Sequence, residues 1–150
     1  NLLVLGFSFG EVLGHCGGHS SSSSGTIQSP NYPNAYTAGE ECIWTVAIDG
    51  SVENIRLSFS SFDLQPKSAD GNCVDYVAIF RLQLNKDPGA VLEGRFCGDS
   101  IPQSIKIEES SMTVQFISDS VANPHIGFSL HFETNFKDSK SFFNFKDGAS

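Results

Sequence analysis

Basic residues are scarce in this chain of 150: nine Lys and Arg stand against 17 Asp and Glu, a formal net charge of −8. A surface of that sign repels phosphate backbones, so no nucleic-acid partner is expected. It suits a calcium site, a basic partner or plain solubility. Charged residues of both signs make up only 17%, which argues against a long surface helix or coiled coil. No Cys-x-x-Cys occurs, so neither a zinc ribbon nor a thioredoxin-type redox site is expected. No Asn-x-Ser/Thr sequon occurs, so N-glycosylation is not expected either. The apolar stretch from Asn1 to Gly10 is far too short to span a membrane. It reads either as the remnant of a signal-peptide apolar core or as a buried first strand.

What is present points to one domain with a real core. Hydrophobic residues reach 39%, and thirteen Phe against one Met and one Trp make aromatic packing its dominant theme. The four cysteines, Cys16, Cys42, Cys73 and Cys97, are best explained by two disulfides formed in an oxidising compartment, with three pairings open.

The hydrophobic pattern has period two. Cys42, Trp44, Val46 and Ile48 alternate with less apolar neighbours, as do Ile55, Leu57 and Phe59. Val77 and Ile79, then Met112, Val114 and Phe116, then Phe128, Leu130 and Phe132 repeat the pattern. Asp49-Gly50 and Lys86-Asp87-Pro88-Gly89 are turn signals. No window sustains a helical period, so the reading is all-β, an antiparallel sandwich. Ser20 to Ser24 has loop composition and reads as a flexible stretch inside the domain. Pro30 and Pro33 suggest a stiff, extended segment.

In order and spacing, several motifs resemble the CUB domain family. They are the run Gly25 to Tyr36 with its Ser-Pro-Asn-Tyr-Pro core, Cys42-Ile43-Trp44, Phe62-Asp63-Leu64 and Asp75-Tyr76-Val77-Ala78-Ile79-Phe80. Phe96-Cys97-Gly98, Phe116-Ile117-Ser118-Asp119 and Gly127-Phe128 complete the set. The resemblance implies a jelly-roll sandwich of two sheets, with Cys16 bonded to Cys42 and Cys73 to Cys97. Each closed loop of about 25 residues would then contribute roughly 3–4 kcal/mol in the chain-entropy model. Gly98 and Gly127 read as turn glycines.

The resemblance also implies a calcium site made from one Glu and two Asp. The aspartates fall on Asp75 and Asp119, while the glutamate position holds Gln65. Gln65 offers a neutral carbonyl, so calcium is expected to be held more weakly than by three carboxylates. Asp63 and Asp70 are candidates to replace the missing charge. In such domains the acidic cluster also receives a basic side chain from a partner, which makes Asp75 and Asp119 candidate partner-binding residues.

Other motifs carry less. Gly6-Phe7-Ser8-Phe9-Gly10 has nucleophile-elbow spacing, but no alternation of strands and helices follows to support a hydrolase. His15-Cys16-Gly17-Gly18-His19 would need a reduced Cys16 and more ligands to bind zinc. His125 and His131 have no partner identifiable from sequence, and Glu108-Glu109 reads as solvated.

The expected organisation is a pre-domain segment or signal remnant at 1–15, a CUB domain at 16–134 and a tail or linker at 135–150. The expected function is a non-catalytic, secreted binding module for an extracellular protein or carbohydrate. Its contact loops would be Pro66 to Asn72 and Ser120 to Ile126. Alternatives are an accessory domain of a larger secreted protease, of astacin or serine type, and one unit of a multi-CUB receptor or matrix protein.

Overall fold

A computed structural model describes residues 16–138. The apolar stretch 1–10, the elbow-like serine motif, His15 and residues 139–150 lie outside the described residues. The described elements are nine strands: β1 (Gly17–Ser20), β2 (Ser24–Gln28), β3 (Glu41–Ala47), β4 (Val52–Asp63), β5 (Tyr76–Leu82), β6 (Ala90–Phe96), β7 (Ile105–Ile107), β8 (Ser111–Ile117) and β9 (Gly127–Phe136). One sheet has the order β1-β3-β8-β5-β6, the other β2-β9-β4-β7.

The alternating residues face one another between the sheets. Trp44, Val46, Val77, Ile79, Met112, Val114 and Phe116 come from one sheet, and Ile27, Ile55, Leu57, Phe59, Phe128, Leu130 and Phe132 from the other. Phe128 is the hub, with edge-on contacts to Trp44, Phe59 and Phe116. Edge-to-face packing sets the positive rim of one ring against the negative face of the next. Both disulfides are formed, Cys16–Cys42 and Cys73–Cys97.

Strand pairing is antiparallel except between β1 and β3, which run parallel with Gly17 beside Ile43. A Cβ on Gly17 would run into the backbone oxygen of Ile43, so only glycine allows this approach. The serine run is not wholly the loop its composition suggests. Ser20 ends β1, Ser24 opens β2, and Ser20 is 6% exposed. Sheet pairing at both ends overrides the loop propensity of serine here. Nor is the segment around Pro30 and Pro33 extended. Asn31 has φ 68°, and the N–H groups of Tyr32 and Asn34 close back on the carbonyls of Ser29 and Asn31. Asn tolerates the left-handed region that such a turn needs.

One irregularity positions the residues that matter below. β4 pairs with β9, and the register shifts between Phe59 and Ser61, leaving Ser60 as an extra residue. A bulge of this kind flips the phase of alternation. Ile55, Leu57 and Phe59 face the core before it, Phe62 and Leu64 after it. Asp63 and Gln65 therefore leave the core on the opposite phase, at the end where β5 begins and β8 finishes.

Candidate functional site

Asp75 stands just before β5 and is 0% exposed. A buried carboxylate needs donors to offset lost hydration. Two segments, the one before β3 and the one between β8 and β9, supply three of them. The Tyr36 hydroxyl donates to Oδ2 at 2.7 Å, the Asn123 side-chain amide to Oδ2 at 2.9 Å, and the Asp119 backbone N–H to Oδ1 at 2.9 Å.

Tyr36 is held as firmly. Its ring is 2% exposed and edge-on to Phe116, and its N–H bonds the His125 carbonyl. Its hydroxyl accepts the Gln65 N–H at 3.2 Å while donating to Asp75. Burial, reinforced by the Asp75 carboxylate, pushes the phenol well above its ordinary range. The hydroxyl thus stays protonated and keeps donating.

The structure joins the Asp75 carboxylate directly to the backbone N–H of Asp119 and, through the Tyr36 hydroxyl, to the backbone N–H of Gln65. Asp119 is half-buried, and its Oδ1 accepts the Val121 N–H, which bends the chain after β8. The two candidate substitutes do not join them. Asp63 is bound to the His125 ring at 2.8 Å and to the Ile126 N–H at 3.2 Å. Asp70 lies on the exposed 66–72 loop, where the Ser68 hydroxyl and the Asn72 N–H hold its carboxyl below the usual range. His125, partnerless in the sequence reading, therefore has a partner 62 positions away. Sequence reasoning missed Asn123 as well, because its link to Asp75 crosses 48 positions and leaves no local pattern.

The candidate ligands Asp75, Asp119 and Gln65 would offer only oxygen, two carboxylates and an amide carbonyl. That chemistry fits calcium and not zinc. Asp75 has about four lone-pair sites, of which the three bonds use three. Among the described residues, the one cluster of Cys, His and acidic groups at metal-ligand spacing is Cys16, Glu40 and Cys42. Its sulfurs are spent on the disulfide. The calcium candidate would therefore have two carboxylates, since among the described residues the candidate substitutes Asp63 and Asp70 are engaged elsewhere.

These features define a class, the disulfide-stapled two-sheet sandwich whose polar chemistry gathers on the loops at one end. A family model for the CUB domain matches residues 16–132, and the chain belongs to the CUB domain family. The Bone morphogenetic protein 1 homolog of Strongylocentrotus purpuratus is 39% identical over 118 residues, covering 78% of this chain and 17% of its own length. Cubilin of Rattus norvegicus is 37% identical over 134 residues, covering 88% of this chain and 3% of its own length. The chain thus spans a small part of these curated relatives. The crystal structure of the MASP-1 CUB2 domain bound to Ca2+ superposes with a TM-score of 0.66 at 27% identity, over 80% of this chain and 97% of that one.

Proposed function

We propose that this chain supplies a non-catalytic extracellular binding module, with residues 16–134 as the domain, its last strand running on to Phe136, and with segments flanking it on both sides. Its partner is an extracellular protein or carbohydrate met at the loop end, where Asp75 and Asp119 attract a basic group. The observation that carries this reading is the wholly buried Asp75 carboxylate, tied by three hydrogen bonds to segments far apart in sequence. So costly a buried anion is worth keeping where it preorganises an acidic surface. The loops 66–72 and 120–126 flank it as contact surfaces.

Asp75, Asp119 and Gln65 would hold the calcium ion. When bound, calcium would neutralise the paired carboxylates and cross-link their loops. Calcium in the MASP-1 CUB2 domain supports this reading, as does the all-oxygen donor set. Tyr36 keeps its proton and orients Asp75, and Asn123 ties the 120–126 loop to the same carboxylate.

A second reading, that the module serves within a larger secreted protease or a multi-CUB receptor, draws on the lengths of the relatives, of which the chain covers 17% and 3%.

Thermal melting with calcium or chelator tests the cation. At ten times the dissociation constant, calcium adds about 1.4 kcal/mol, or about 5 °C for a domain of this size. Asp119→Asn should abolish that shift. A wild-type melting temperature indifferent to calcium at every concentration removes the cation from the proposal. Calcium-dependent capture from extracellular extract, lost in Asp119→Asn, tests the partner surface.

A further inference from the structure

Two carboxylates hold the segment between β8 and β9, beside backbone bonds from the Gly39 N–H to the Asp119 carbonyl and from the Tyr36 N–H to the His125 carbonyl. Toward its start, the Asp119 N–H and the Asn123 amide bond Asp75. Toward its end, the His125 ring and the Ile126 N–H bond Asp63. Asn123 couples the two anchors, since its Oδ1 accepts the His125 N–H at 3.0 Å. Past the β4 bulge, Asp63 shares its outward phase with Gln65, whose N–H bonds the Tyr36 hydroxyl. The contacts close a ring through Asp63, His125, Asn123, Asp75, Tyr36 and Gln65.

We propose that His125 is a positioning residue for the cation site: its ring, seated on Asp63, sets the 119–126 loop so that Asp119 stays beside Asp75. This rests on the calcium reading above. The side chains of His125 and Asp63 are partly buried, 26% and 33% exposed, and meet at the loop end of the sandwich. What their contact fixes is the path of the loop. An Asp119 that drifts from Asp75 no longer presents two carboxylates to one ion, and affinity falls although both ligands remain. The ring also keeps Asp63 engaged, so that it does not draw the ion away from Asp75.

Calorimetric titration of the chain with calcium alone tests this in wild type, His125→Ala, His125→Gln and His125→Asn. Loss of a partner bonded directly to a metal ligand costs about tenfold or more in affinity; His125 acts one contact further out, so a loss of about fivefold to tenfold is expected for His125→Ala and His125→Gln. His125→Asn should stay within about twofold of wild type, because its Nδ2 stands as far along the side chain as the ring Nδ1. A merely structural role would lower the melting temperature in chelator and leave the affinity of the folded protein unchanged. Should His125→Ala fail to fold, His125→Gln carries the comparison. The inference is overturned if the Ala and Gln variants bind calcium as tightly as wild type, or if Asn binds as weakly as they do. A wild-type chain that takes up no calcium defeats the calcium reading itself, and this inference with it.

Discussion

Tyr36 and Asp75 form a buried pair, hydroxyl to carboxylate at 2.7 Å, across 39 positions of sequence. Each is useful because of the other. The carboxylate needs a donor that burial will not strip of its proton, and the phenol needs an acceptor inside the sandwich. Tyr36→Phe would leave Asp75 one donor short and take the acceptor from the Gln65 N–H. The expected loss is about 1.5–3 kcal/mol, typical of a hydrogen bond to a charged group. Urea denaturation should show it as a lower midpoint with an unchanged slope. A loss under about 0.5 kcal/mol, the range of ordinary surface changes, would mean that the bond contributes little.

The same pair sets the alkaline limit. Burial raises the Tyr36 phenol in the folded state above its unfolded value. The contribution is then complete below the unfolded value of about 10 and declines as the pH rises past it, because only the unfolded chain ionises there. Wild type should lose stability more steeply above about pH 10 than Tyr36→Phe does. Absorbance at 295 nm checks the origin: the two proteins should show matching ionisation until alkaline unfolding begins.

Gln65→Glu restores a third carboxylate to the candidate site. Calcium affinity should rise about tenfold or more, because charge count is a main determinant of affinity for this ion. In chelator the added charge near Asp75 and Asp119 should lower the melting temperature. Calorimetry and melting together read both effects. An unchanged affinity would place Gln65 outside the cation's reach.

Two glycines separate conformation from crowding. Gly98 and Gly127 have φ values of 87° and 91°. A Cβ on Gly98 meets nothing within 4 Å, whereas one on Gly127 collides with the Ser29 hydroxyl. That hydroxyl accepts the Phe128 N–H at 2.9 Å. Gly98→Ala should cost about 1–2 kcal/mol, the conformational part alone. Gly127→Ala should cost about 1–3 kcal/mol beyond that, by overpacking. Parallel denaturation of the two variants gives the difference, and equal costs would contradict it.

Period-two alternation survives wherever a strand has one face in the core. That is why Trp44, Leu57, Val114 and Phe132 were legible as inward positions, and why two sheets followed from them. It fails at β6, an edge strand with a register shift opposite Ile79 and Phe80 and no regular alternation of burial. It fails again at the Ser60 bulge, where the phase flips without any special residue to announce it. Asp75 and Asp119 were legible only through family motifs. Asn123 and the Asp63–His125 pair were not, because tertiary packing alone brings them together.

The 66–72 loop has a further consequence. It folds on itself, Ser68 with Asn72 and Gly71 with Ser68, while Asp70 caps the turn. Its base is clamped by backbone bonds between Leu64 or Gln65 and Gly98, and by the Cys73–Cys97 disulfide. Among the described residues, the hydrogen bonds of Ser68, Asp70, Gly71 and Asn72 stay within the loop, and the ring around Asp75 uses none of them. The loop is thus a natural cassette, a place where a foreign recognition sequence could be grafted, or where lineages could diversify their targets, while the scaffold beneath stays intact.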